Sequence, residues 1–440
     1  MPLSRALLPC AALLIGAFIV LLGNGLQGMI VPVRASLEHF ATAEIGLLSS
    51  TYSAGFVISC LVTPHVLRRV GHIRTFAVMS ALAACVALLL VLIVDPWVWI
   101  GLRVVTGFCF AGLFMVIESW LNAVASNDVR GQLFSTYMLI SLAAIMIGQM
   151  LLPLGDPAGF GLFAAIAIAI TFALVPVSLT TSQAPTLMAD VRLRLGHLYA
   201  VSPVGVSGCF LVGMANGSVG GLGAIYAQRL GFSLTEVALF MSAGVLGGAL
   251  GQMPIGRLSD KVDRRKVLLG ACVAAASAGV ALAVIGGLGA GRGTVLGWDV
   301  PVLLVIVGYG VQGAFIFSMY GLCVAHTNDF AAPEDFVETS SGLLLIYGIG
   351  AIAGPVFAAF LMDRIGTGAL FAWTASVHVA LAAFTAYRMT RRARPEDRTD
   401  FVASGVVGHR TSPALAGLDP RAGEPAPAQP RGVPEPAAAQ

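Results

Sequence analysis

Charge is what this sequence lacks. Only 11% of its 440 residues are Asp, Glu, Lys or Arg, while 57% are hydrophobic. A soluble domain carries about 25% charged residues, because its surface must face water. A chain this poor in charge turns most of its surface to lipid, which excludes a soluble enzyme or binding module. The cation excess is also small, 25 Lys and Arg against 22 Asp and Glu, a net charge of +3. Nucleic acid is therefore not expected as a partner. Seven cysteines (Cys10, Cys60, Cys85, Cys109, Cys209, Cys272 and Cys323) lie in or beside apolar runs, with no Cys-x-x-Cys and no Cys/His spacing. They read as small buried hydrophobes, not as disulfides or metal ligands. There is no Walker A phosphate loop, so no ATP-driven step is supported, and no cofactor or metal is expected.

What the chain has instead is apolar runs of membrane-crossing length. Runs of roughly 20 apolar residues fall near 7–31, 44–65, 74–94, 98–122, 132–154, 159–180, 204–227, 235–256, 266–286, 301–325, 339–361 and 367–388. Residues 1–180 form one six-span unit, 181–203 a linker and 204–390 a second unit. Residues 391–440, rich in Ala, Pro, Gly and Arg without periodicity, read as a disordered tail. Arg5 before an apolar run imitates a signal peptide, but that run has a partner at 204–222 and is read as structural. If both termini share one side, that side receives Arg5, Arg68, Arg69, Arg74, Arg130, Arg192, Arg194, Arg257, Lys261, Arg264, Arg265 and Lys266. The other side has Arg34, Arg229, Arg292 and Arg364. The positive-inside rule puts both termini in the cytoplasm, and Trp97, Trp99 and Trp298 beside outer loops fit an interfacial belt.

The two units are copies. With no gap, residues 24–70 shifted by 192 bring Asn24, Gly25, Gly28, Ala35, Phe40, Glu44, Leu47, Ser50, Gly55 and Val70 onto Asn216, Gly217, Gly220, Ala227, Phe232, Glu236, Leu239, Ser242, Gly247 and Val262. A shift of 206 matches Gly107, Asn122, Ser135, Ile140 and Gly148 with Gly313, Asn328, Ser341, Ile346 and Gly354. The change of offset places a longer loop at 286–299. An internal repeat of apolar segments is the signature of a secondary transporter with a solute path between its halves.

Polar residues within the spans indicate where that path runs. Spans 1, 4, 7 and 10 carry Asn24 and Gln27; Arg103 and Glu118; Asn216; Tyr309 and Gln312. Apart from Arg74, Lys266 and Arg388 at their very ends, spans 3, 6 and 9 carry no charge and no amide, and span 12 only His378; Tyr52, Gln149, Gln252 and Tyr347 make 2, 5, 8 and 11 intermediate. Lipid-facing helices are apolar all round and cavity-lining helices are not, so the first helix of each three-helix unit is expected to line the path. Arg103 and Glu118 are well inside a span and share a face of one helix, but lie about 22 Å apart along it at 1.5 Å per residue. Arg103 is a cavity residue or a snorkelling anchor. Glu118 is a coupling carboxylate or an anchor near the membrane edge. Asn24-Gly25-x-x-Gly28 and Asn216-Gly217-x-x-Gly220 are read as interruptions of equivalent helices. Two readings stand for them, a binding site and close helix packing.

Residues 256–266, Gly-Arg-Leu-Ser-Asp-Lys-Val-Asp-Arg-Arg-Lys, resemble the loop motif G-x-L-x-D-[RK]-x-G-R-[RK] of the major facilitator superfamily, with Asp263 in place of the second Gly. The loop between spans 2 and 3 keeps Arg68, Arg69, Gly71 and Arg74 but has Arg68 where the motif has Asp. Arg103-x-x-x-Gly107-x-x-x-Ala111 is similar to the family's fourth-helix motif, whose Arg is often tied to proton coupling. Residues 107–122, Arg130-Gly131, Val70–Arg74 and Ala325–Asp329 look like a YcaD-like bacterial branch of unassigned substrate. The resemblance covers 5–390. The fifth span lacks the Gly-Pro signature of drug/proton antiporters; a Gly354-Pro355 pair falls on the eleventh instead.

The chain is thus expected to be an all-α membrane protein of twelve transmembrane helices in two pseudo-symmetric six-helix bundles. It reads as a monomeric secondary transporter of the bacterial inner membrane and not as an enzyme. Its expected partners are the lipid bilayer and a small solute, with protons as a candidate coupling ion. The rival reading is a transporter-like sensor or a facilitative channel. Arg264 and Arg265 are expected to meet Asp329, Glu334 and Asp335, with Asp260 beside them, as a gating latch. Arg68, Arg69 and Arg74 are expected to face Asp128 and Glu118, with Arg130 on the same side.

Overall fold

A computed structural model describes residues 10–124, 127–179, 195–287, 301–332 and 335–391, with 294–295, 298–299, 401 and 412–414. Among these, twelve helices are long and apolar enough to cross a membrane. They are α1 (Ala11–Leu37), α2 (Thr42–Val70), α3 (His72–Leu92), α4 (Pro96–Val124), α5 (Asn127–Met150) and α6 (Gly161–Phe172, continued by Leu174–Ser178). The second half has α7 (Pro203–Arg229), α8 (Leu234–Lys261), α9 (Arg264–Ile285), α10 (Val302–Asn328), α11 (Phe336–Ile365) and α12 (Ala369–Arg391). The break in α6 has a local cause: Pro176 has no N–H to give the carbonyl of Phe172. The described end of the linker is a short helix, Leu195–Val201.

Several helices overrun their apolar runs because polar caps extend them. Ser233 Oγ accepts from the Glu236 N–H (3.3 Å), and the Glu236 carboxylate accepts from Ser233 N and Oγ (2.8 Å each), a capping box at the start of α8. In the first half Ala41 offers no side-chain acceptor, and Glu44 alone reaches back to the Ala41 N–H at 2.7 Å. The repeated Glu44 and Glu236 are therefore helix-start residues.

The repeat holds in three dimensions. Ala11, Thr42 and His72 open α1, α2 and α3; Pro203, Leu234 and Arg264, each 192 residues later, open α7, α8 and α9. Pro96 and Val302 open α4 and α10, 206 residues apart. The extra residues lie between α9 and α10, where Thr294–Val295 pairs antiparallel with Trp298–Asp299. Within each half the packing is equivalent: α1 on α5, α2 on α4 and α3 on α6, then α7 on α11, α8 on α10 and α9 on α12. Glycines set the close approaches. A Cβ on Gly25 would strike the Ile145 carbonyl, and one on Gly148 the Leu22 carbonyl; Gly217 and Gly354 meet Ala351 and Met214 in the same way. Lipid offers no hydrophobic drive between helices, so such close van der Waals contact is a main source of cohesion. α1 and α7 run unbroken through their Asn-Gly-x-x-Gly segments, which corrects the expectation of interrupted helices.

Two loop faces follow. The face carrying the α2–α3 and α8–α9 turns is called the basic face. There Gly71 adopts φ +84°, which an L side chain rarely accepts. Asp263, at the equivalent position, has φ −54°, and its carboxylate accepts the Arg265 N–H at 3.0 Å, a cap that needs no glycine. On the opposite face Trp97 is exposed. Trp99 is fully buried. Its indole N–H donates to the Ile93 carbonyl at 2.7 Å and its ring packs edge-on against Phe40. The Trp298 side chain lies outside the described residues.

The halves meet towards the opposite face. Gly46 of α2 lies on Pro355 and Ala359 of α11, and Gly221 of α7 on Ser49 of α2. Ser242 of α8 donates to Gln149 of α5 at 3.0 Å, and Arg229 donates to Thr42.

Candidate functional site

Asn24 and Asn216 are each the fourteenth residue of a 27-residue helix, and so come at mid-depth from opposite halves. Both line one cavity of about 110 Å³, together with Gln27, Gly28, Tyr52, Arg103, Gly220 and neighbouring residues of α1, α2 and α7. Asn24 Nδ2 donates to the Tyr52 hydroxyl at 3.0 Å, and the Arg103 guanidinium lies over the Tyr52 ring, 4.4 Å from its centre. Arg103 Nε donates to the Leu48 carbonyl at 3.3 Å. Its two terminal nitrogens donate to no other group among the described residues.

The amides of Gln27 and Asn216 are stranger. Both are almost fully buried, and among the described residues neither the nitrogen nor the oxygen of either finds a partner. A buried polar group left unsatisfied costs about 1–3 kcal/mol. These two amides, one from each half, line the same cavity. Gly28 and Gly220 sit beside them with nothing within 4 Å of a built Cβ. In each repeated pair one glycine packs helices and the other leaves room in the cavity. Among the described residues Arg103 is the only charged one lining the cavity, which makes that lining electropositive.

Tyr309 and Gln312 do not join it. Tyr309 stacks on Phe240 (4.4 Å between ring centres) and meets Phe371 edge-on, while Gln312 Nε2 donates to the Ala275 carbonyl at 3.3 Å. The repeat gives the reason. Tyr309 is the counterpart of Arg103 by the 206 offset, and Gly244 the counterpart of Tyr52 by the 192 offset. The Tyr309 ring fills the space above Gly244, where the first half has a guanidinium on an aromatic ring. The cavity is thus lopsided towards the first half, and α2 lines it where α10 was expected.

Glu118 is fully buried towards the basic face. Tyr137 of α5 donates to its Oε1 at 2.9 Å, and Ser412 donates to its Oε2 from both N (2.7 Å) and Oγ (2.6 Å). Nothing in the sequence pattern flagged Tyr137 or Ser412. Arg68 is exposed; the side chains of Asp128 and Arg130 lie outside the described residues. In the second half, Arg264 makes a buried ion pair with Asp329 (2.8 Å) and also reaches Asp260 (3.1 Å) and Ser259 Oγ (2.8 Å). Arg265 pairs with Asp263 at 2.8 Å. Burial works against the Asp263 charge, but the Arg265 side chain and backbone N–H hold its carboxyl below the ordinary carboxylate range. These pairs tie α8, α9 and α10 of one half together. Glu334 lies outside the described residues. By the 192 offset the first-half counterpart of Arg264 is His72, whose ring bonds Ser119 Oγ at 2.9 Å, a neutral contact in place of an ion pair.

Twelve spans in two equivalent halves, with a polar cavity between them, define a multi-pass membrane transporter. A sequence profile for the Major Facilitator Superfamily matches residues 13–310 and again 205–418, and the chain belongs to that superfamily. It is 28% identical over 377 residues to a protein of Escherichia fergusonii described as an uncharacterized MFS-type transporter, YcaD, spanning 84% of this chain and 93% of that protein. The protein of the same description from Escherichia coli O6:K15:H31 is 29% identical over the same shares. In fold the chain is similar to the nucleoside transporter NupG, with a TM-score of 0.73 and 12% identity over 87% of this chain and 99% of that one. It is also similar to a bacterial homologue of the lysosomal transporter Spinster, with a TM-score of 0.68 and 15% identity over 89% and 97%.

Proposed function

We propose that this protein is a secondary transporter of the bacterial inner membrane that moves a small organic anion by alternating access. The observation that carries the reading is a cavity lined from opposite halves by the amides of Gln27 and Asn216, which have no partner among the described residues, and by Arg103, whose terminal nitrogens donate to no group among them. A carboxylate suits that guanidinium fork, and the amides suit the polar remainder of a solute with several heavy atoms. Rocking of the halves about this site would break the contacts of Gly46, Ser49 and Ser242 at the opposite face, giving the solute access from there. Glu118 is the coupling candidate, a buried carboxylate on the helix that carries Arg103.

Counterflow in proteoliposomes loaded with a panel of small mono- and dicarboxylates tests the reading. Labelled anion should enter against unlabelled anion, and Gly220→Val, which adds bulk in the cavity where a Cβ meets nothing within 4 Å, should stop it at unchanged folded yield. Entry without trans-stimulation would leave a channel, and no entry with any anion would leave a sensor. If protons couple through Glu118, Glu118→Gln should lose accumulation against a gradient while counterflow persists.

The basic face is assigned to the cytoplasm, because its short loops carry most of the Lys and Arg. Reporter domains fused after Ala200 and after Arg398 should both be active only in the cytoplasm; periplasmic activity at either point would invert the assignment.

A further inference from the structure

The tail is expected from its composition to lack structure, yet the described parts of it are packed on the two halves. On the second half, Phe401 N donates to Asp260 Oδ1 at 2.9 Å, and its ring lies on Gly256, where any Cβ would strike it. On the first half, Ser412 is 1% exposed and gives both its N–H and its hydroxyl to Glu118, which is 0% exposed. The Ser412 hydroxyl also accepts the Ala414 N–H at 3.2 Å. Two carboxylates, one per half, thus take backbone donors from a single segment. The two contacts come from positions 401 and 412 of the same tail.

We infer that Phe401 and Ser412–Ala414 form a strap that docks on Asp260 and Glu118, bridges the two halves across the basic face, and holds the arrangement closed at the opposite face. Glu118 and Asp260 are the docking site, and the occupant is the chain's own tail. Ser412 and Glu118 lie out of solvent, so the contact occupies space between the tail and the helices. Opening the opposite face brings the halves together on the basic side and must expel it. Three hydrogen bonds from the tail end on these two carboxylates. Gly256 and Asp260 match the superfamily loop motif, and here they also accommodate the ring and the amide of Phe401.

The inference rests on the two-state reading above, but its test needs no substrate and so fails separately from it. In the purified full chain, amide exchange at Phe401 and Ser412 should be at least roughly tenfold slower than in a free peptide of residues 399–416. Glu118→Gln should shed the protection at Ser412 and Asp260→Asn that at Phe401. If Glu118→Gln fails to fold, Ser412→Gly removes the hydroxyl contact without altering any helix and should shed part of it. Truncation after Arg398 should also raise labelling of Ser49→Cys by a membrane-impermeant maleimide severalfold, because half-buried Ser49 packs against Gly221 of the other half in the arrangement closed at the opposite face. Free-peptide exchange rates in the full chain would overturn the docking, and unchanged Ser49→Cys labelling on truncation would overturn the restraint.

Discussion

Arg103→Gln should reduce counterflow of the transported anion by about a hundredfold, the factor expected from losing about 2.7 kcal/mol of charge-assisted bonding. The size follows from what the guanidinium is already doing. Nε is spent on the Leu48 carbonyl and the ring face on Tyr52, which fixes the plane and leaves the fork to the cavity. Arg103→Lys keeps the charge but loses both the fork and the stacking, so an intermediate loss of about tenfold is expected. Folded yield separates this from an anchoring role. Cavity-facing Arg103 carries a buried charge, and among the described residues no carboxylate lines the same space, so removing that charge should leave yield unchanged or raise it. A fall in yield, with Lys no better than Gln, would make Arg103 a strut between α4 and α2.

The legible part of this protein was legible because membranes impose simple rules. Run length gave the twelve spans, and the repeat gave the equivalence of the two halves and the meeting of Asn24 with Asn216. Residue type gives polarity but not which way a side chain turns. Tyr309 and Gln312 are polar on a path-lining class of helix, yet they face α8 and α9, because Gly244 and Gly279 leave room for them there. A comparison of the two halves at these positions would have found the difference, since Arg103 over Tyr52 has become Tyr309 over Gly244. Tyr52 was visible only as a lone phenol on α2; its place between Asn24 and Arg103 needs the crossing of three helices. The tail contacts were beyond reach for another reason. They rest on a backbone N–H and a serine within a segment whose composition favours disorder, and no pattern marks an amide as a ligand for a distant carboxylate.

The largest effect on stability should come from Asp329→Ala. Arg264 and Asp329 are each about 1% exposed and 2.8 Å apart, and each sits at the wrong end of its helix. Arg264 is the first residue of α9, where the helix dipole is positive, and Asp329 caps the end of α10, where it is negative. Each charge is tolerated because the other is there. Removing one partner of a buried pair costs about 3–5 kcal/mol, and Asp260, one-third exposed at 3.1 Å, offsets only part of that for Arg264. Most of the folded yield should therefore be lost in Asp329→Ala, and similarly in Arg264→Met. The double variant Arg264→Met with Asp329→Leu, which leaves no buried charge behind, should recover much of it. The first half provides the internal control. His72 and Ser119 hold the corresponding place with one neutral hydrogen bond, so Ser119→Ala should cost only about 1 kcal/mol. Monodisperse yield and thermal midpoint of the purified chains would rank the four variants. If the double variant were no better than the singles, the pair would be contributing something other than mutual neutralisation, and the joint of α8, α9 and α10 would have to be held by the geometry of the guanidinium itself.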